Sequence, residues 1–371
     1  MKRFTKVLVT GIAVVLGLRL GIWHSHNEVK AQAKQQAAGV PQFRYDPFWP
    51  KPLPEGWVLG SVGSVCVDAE DHVFAVTRGV PDIKEHNLAT PAPPVLEFDA
   101  DGNLVKSWGN RDVMAVTQHG CFIDKEGNFW TAGNNDGMVQ KYTHDGGKLL
   151  LQIGTKGVMD SVDGTARGVG KNSSHTSLFK PSQVAVDPGN GDIYVSDGYG
   201  NKRVVVFDKE GKYLRQWGRQ ATQAETDEGV GGVFLGPVHC VVIGNDGLVY
   251  VCDRQGDRIE VFDKMGRFIR NIRIESKTAH RKESANAVGT AGGIGFSRDP
   301  AQKFMYVANG ADNVIHIVDR ATGQVLTKFG RPGLQSGDFT DPHSIAVSSK
   351  GDLIIGEVPY GGKLQMWRLV K

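Results

Sequence analysis

The sequence predicts an all-β protein, a six-bladed β-propeller whose last blade is completed by an N-terminal strand. Three observations predict it: a pattern of four short strands recurs, its copies lie about 40 to 60 residues apart as blades do, and the final copy stops one strand short. The 48 glycines among 371 residues follow no three-residue period, which suits a chain of many tight turns. No stretch has a convincing helical pattern.

The chain opens with Lys2, Arg3 and Lys6 ahead of an apolar run from Val7 to Leu18, and Ala31, Gln32 and Ala33 follow. This is the order of an export signal, and Arg19 cuts the apolar run short of the about 20 residues that a membrane-spanning helix needs. Residues 1–33 are therefore expected to be a signal peptide or an N-terminal membrane anchor, residues 34–54 a linker, and residues 55–371 the propeller. Export implies a periplasmic or extracellular location. Cleavage after Ala33 would remove Lys2, Arg3, Lys6, Arg19 and Lys30 but only Glu28, turning a formal charge of +3 into a nearly neutral body. Such a body has no electrostatic footprint for nucleic acid.

The clearest copy of the repeat is PSQVAVDPGNGDIYVSDGYGNKRVVVFDKEGKYLRQWG, residues 181–218. QVAV and DIYVS alternate apolar residues around a Gly-Asn-Gly-Asp turn, VVVFD follows a bend, and YLRQWG closes the unit. Its second half recurs from Val95, Val139, Val205, Ile259 and Ile315. A sixth unit begins at Pro342 and ends after its third strand, so EGWVLG at residues 55–60 is expected to supply the missing outer strand. Inserts at 155–178, 219–235 and 274–291 separate units and are expected to rim one face. Among the cysteines, Cys240 and Cys252 fall on opposite arms of one hairpin, where a disulfide or two buried thiols are both open; Cys66 and Cys121 have no assigned partner.

The innermost strand of each blade lines the channel, and equivalent positions at its start read Gly63, His119, Ser182, His239, Gly292 and His343. Three imidazoles on alternate blades stand about 120° apart, with small residues between them. Three neutral nitrogen ligands with one open position are the arrangement of catalytic rather than structural zinc. Residues just after second strands return to the same end of the channel, which selects Arg78, Tyr199 and Arg254. A phenol there can act as base or acid, and guanidinium groups can hold a carboxylate. His72, His144 and the remaining histidines fall in turns, loops, the export segment or a third strand and read as ordinary.

The units resemble NHL repeats from Trp57 to the C-terminus. More narrowly, QHGC, PVHC and DPHS opening alternate blades, with the Arg-Gly of the first blade, DGYGNKR and CDRQGDRI, resemble peptidyl-α-hydroxyglycine α-amidating lyase. The resemblance implies zinc on His119, His239 and His343, Tyr199 as base, and Arg78 and Arg254 on the substrate carboxylate. It implies cleavage of a carbinolamide N–C bond to an amide and glyoxylate, with zinc stabilising the developing alkoxide. It also implies calcium, which these residues do not place. Asp341 departs from the pattern, standing two residues before His343 where an apolar residue is expected.

Two other readings remain open on the sequence. One keeps the metal but hydrolyses a lactone or ester; the other is a non-catalytic binding or scaffold protein of the envelope. The expected partner is a small-molecule or peptide-derived substrate with a carboxylate, bound by a monomer.

Overall fold

The computed structural model describes residues 39–78, 90–274, 276, 288–358 and 362–370. The expected signal segment, 1–33, lies outside them. From Gln42 onward the chain forms one compact unit containing six four-stranded antiparallel sheets, the six blades of a propeller. Among the described residues no helix is long and apolar enough to cross a membrane.

The repeat's side chains explain its turns. Asp68 and Asp124, ending inner strands, accept backbone N–H bonds from residues two and four further on, and Asp99, Asp208 and Asp263 do the same after third strands. Between turns, the apolar residues of one blade pack on those of the next. Val184, Ile193, Val195, Val205 and Phe207 of the third blade form one cluster with Trp130 and Val139 of the second. Burying one such side chain stabilises by about 1.5–3 kcal/mol, so each seam is a small hydrophobic core. The Trp-Gly closing a unit belongs to this packing: Trp108 lies 5.0 Å from Phe129 and Trp217 lies 5.5 Å from Phe262, both in the following blade. Gly218 has φ +106°, and a Cβ there would meet Phe234 at 2.6 Å, so glycine is required.

The sixth blade pairs Pro342–Val347, Leu353–Glu357 and Leu364–Val370 with an N-terminal strand, as expected, but the strand is Gln42–Asp46. The expected residues 55–60 instead contribute Trp57–Val58, paired in parallel with Thr90–Pro91. Position decides this, because Phe43 packs on Phe329 and Tyr306, and Tyr45 on Trp367, at the seam between the fifth and sixth blades. The propeller therefore begins at Gln42, and 42–54 is not a linker.

Both cysteine pairs are disulfides. Cys240 and Cys252 are directly opposed in the first hairpin of the fourth blade, while Cys66 and Cys121 join the inner strands of the first and second blades. The insert 219–235 contains a short helix, α1 (Gln223–Glu228), with a capping box between Thr222 and Glu225.

Candidate metal centre

His119, His239 and His343 are each the second residue of an inner strand: Gln118–Ile123, Val238–Ile243 and Pro342–Val347. At each, the ladder skips one residue, so the histidine has no cross-strand partner. Gly63 and Ser182 occupy the same irregularity on alternate blades. Such a bulge re-aims the side chain it carries, and the three rings meet with centroids 4.6–4.8 Å apart.

The small residues do more than leave room. His119 Nδ1 donates to Ser182 O at 2.8 Å, His239 Nδ1 to Gly292 O at 2.5 Å, and His343 Nδ1 to Gly63 O at 2.9 Å. Each imidazole is thus held by the next blade around the ring. With the proton on Nδ1, every Nε2 presents a lone pair. A Cβ on Gly63 would fall 2.1 Å from Gln118 O, so only glycine allows that blade its approach.

All three rings are buried. Burial is the largest cause holding them well below the usual histidine range, and Arg78 and Arg254 add to it. Three buried lone pairs then face one another with a single hydroxyl between them. Tyr199 Oη lies 3.1 Å from His119 Nε2 and 3.0 Å from His239 Nε2, and its one proton serves only one of them. His343 Nε2 is buried without a hydrogen-bond partner. A divalent cation fits this donor set, because it satisfies three acceptors that no arrangement of protons satisfies together. The three ligand atoms lie within 4.8 Å of one another, and Asp341 is not part of the set.

The expected neighbours are at this end of the channel. Tyr199 sits in the bend after Ile193–Asp197. Buried Asp197 accepts from Phe179 N, Asn201 Nδ2 and Arg203 Nε, clamping the bend. Asp160, from the insert 155–178, accepts from Asn201 Nδ2 as well. A Cβ on Gly198 would meet Val238 O at 2.0 Å, and one on Gly200 the Phe179 ring at 2.2 Å. Close packing on both sides explains Gly-Tyr-Gly. Arg254 follows Val249–Asp253, where Asp253 and Arg258 repeat the clamp. Arg254 Nη1 donates to Tyr199 Oη at 3.0 Å, and its Nε is buried with no acceptor among the described residues. Arg78 Nε donates to Gln118 O at 3.1 Å, beside His119.

Asp341 shares this mouth. Its Oδ1 occupies the space a Cβ on Gly310 would take, 2.5 Å away. Burial pushes its carboxyl up to about 6 against the opposing pull of Arg254 and Arg78. Sequence reasoning missed the Nδ1 acceptors, because a backbone carbonyl leaves no mark in residue type. It also missed the Asp197–Arg203 and Asp253–Arg258 clamps, although the DGYGNKR and DRQGDR strings hold both partners at fixed spacing.

This is a six-bladed propeller with three buried, converging histidines in its channel. The family model for the NHL repeat matches residues 180–207, in the third blade. The chain resembles enzymes of peptide amidation. It is 26% identical over 283 residues to peptidyl-glycine alpha-amidating monooxygenase A of Xenopus laevis, covering 76% of this chain and 27% of that protein. It is 31% identical over 144 residues to a probable peptidyl-alpha-hydroxyglycine alpha-amidating lyase of Caenorhabditis elegans, covering 39% of this chain and 36% of that protein. The Drosophila melanogaster lyase 1 is 25% identical over 260 residues, 69% of this chain and 44% of that protein. The chain thus spans less than half the length of these relatives. Among solved structures, a streptogramin B lyase has a TM-score of 0.55 at 12% identity, with 88% of this chain and 98% of that one covered. A gluconolactonase from Xanthomonas campestris has 0.54 at 13%, with 84% and 87% covered. These two share the fold.

Proposed function

We propose that the chain is a metal-dependent carbon–nitrogen lyase that splits a small α-hydroxylated amide bearing a carboxylate into an amide and glyoxylate. The observation that carries this is the convergence of three buried imidazoles, two of them hydrogen-bonded through Nε2 to the phenol of Tyr199, to which Arg254 also donates. The names of the relatives support the same chemistry.

His119, His239 and His343 would hold the ion, and three imidazoles favour zinc or another transition metal over calcium. When bound, such an ion lowers the cost of negative charge developing on the substrate hydroxyl oxygen. Arg78 and Arg254 bind the carboxylate, the buried Nε of Arg254 offering a donor that awaits an acceptor. Tyr199 acts as the phenolate, to which Arg254 donates, and its Oη takes the hydroxyl proton. The oxygen's electron pair then forms the carbonyl of glyoxylate as the C–N bond breaks, and Oη passes its proton to the departing nitrogen, which completes the amide and restores the phenolate.

The two disulfides support an exported protein working in the periplasm or outside the cell. Glyoxylate release from an N-acyl-α-hydroxyglycine by the metal-loaded protein is the test. If fully loaded protein releases none, the proposal fails.

A further inference from the structure

The far end of the first blade holds a second group of metal-ligating side chains. Asp68 ends the inner strand Val62–Val67, His72 precedes the second strand Val73–Thr77, and Glu97 lies on the third strand, opposite Phe74. Their ligand atoms lie within 4.8 Å of one another. A fourth comes from the next blade: His144 Nε2 lies 3.0 Å from Asp68 Oδ2, while His72 Nδ1 lies 2.7 Å from Glu97 Oε1. The carboxylate side chains are only 3% and 8% exposed, and the histidines, at 33% and 41%, open the group to solvent.

Comparison with the other blades shows what is missing here. In the second blade the position of Glu97 is taken by Lys141, which pairs with Asp124 at 3.0 Å. In the fourth, the turn position of His144 is taken by Lys264, which reaches back to Asp187 of the third at 2.6 Å. At this seam one lysine is replaced by a carboxylate of the first blade, Glu97, and the other by a histidine of the second, His144. No lysine or arginine lies within ion-pair distance of Asp68 or Glu97 among the described residues. Among the described residues only a protonated imidazole offers these two buried carboxylates a cation, and the hydrogen bond with Glu97 accordingly holds His72 above the usual histidine range.

We infer that Asp68, His72, Glu97 and His144 bind a divalent transition ion, such as zinc, at the seam between the first and second blades. Two imidazoles and two carboxylates suit zinc better than calcium or magnesium. Ligands about 3.3 Å apart surround a tetrahedral zinc, so the two hydrogen-bonded pairs would open slightly while His144, held against Asp68, moves in toward His72 and Glu97. Four protein ligands close the coordination shell, which makes the site structural. It would brace the seam already crossed by Cys66–Cys121.

The test is Co²⁺ titration of metal-stripped full-length His239→Ala, in which the channel set is broken, followed by visible spectroscopy and by mass spectrometry of bound metal. One equivalent with a tetrahedral absorption band is expected. Adding His144→Lys, which supplies the cation found at the Asp187 seam and so preserves the fold, should abolish it, as should His72→Gln. The inference is overturned if His239→Ala binds no Co²⁺, or if the double variants bind it as tightly. In otherwise unaltered protein His72→Gln separates the two sites: it should lose one metal equivalent and keep the glyoxylate release that the unaltered protein shows.

Discussion

At their starts the inner strands present three neutral imidazoles, each tied through Nδ1 to a backbone carbonyl of the next blade. At their ends the inner strands of the first three blades present the carboxylates Asp68, Asp124 and Asp187, and Asp124 and Asp187 are matched by lysines. The ends are occupied with turns and seams, which every blade needs. The starts carry only a bulge, where residue type is free to change so long as its neighbour is small. Chemistry therefore gathers at the starts, and the exception at the ends, the histidines beside Asp68 and Glu97, stands out because it breaks a shared arrangement.

The largest effect that would sharpen this contrast is on turnover. Tyr199→Phe should lower kcat for glyoxylate release by about 10²–10⁴-fold while metal content stays unchanged. The next concerns protons. In chelator-treated protein the buried histidines stay neutral, but the unfolded chain takes up protons below about pH 6.5. The unfolded state then binds more protons, so stability should fall as pH drops through that value, by up to about 4 kcal/mol per pH unit for three histidines. Urea unfolding of His343→Asn should show a slope shallower by about a third. If the slopes match, the three rings do not act alike.

Gly63→Ala presses directly on the ring of supports. With its Cβ 2.1 Å from Gln118 O, it should cost about 1–3 kcal/mol in urea unfolding. It should also weaken metal binding about 10–100-fold by displacing the carbonyl that holds His343. The smallest effect is expected on the far face, where Arg267 pairs with Asp263 at 84% exposure of its side chain. Arg267→Ala should change stability by less than about 1 kcal/mol and leave metal and activity untouched.

Much of this was legible in the sequence because the repeat makes positions comparable. The alternation of Gly63, Ser182 and Gly292 with the three histidines, and the return of Arg78, Tyr199 and Arg254 to the same end, follow from counting along six similar units. What depended on contacts between units was not legible. Cys66 and Cys121 lie in different blades, and Asp68, His72, Glu97 and His144 each read as a turn or strand residue until two blades are set side by side. The closing strand was misread for a related reason: residues 55–60 look like other outer strands, but QFRYD at 42–46 presents Phe43 and Tyr45 to the seam that needs them.

The central claim is that the channel histidines hold a metal needed for the reaction. Purified protein and its His239→Ala variant should be compared for bound metal per chain and for glyoxylate release from an N-acyl-α-hydroxyglycine. Loss of one metal equivalent together with loss of activity is expected. Equal metal and equal glyoxylate release in the two proteins would contradict it.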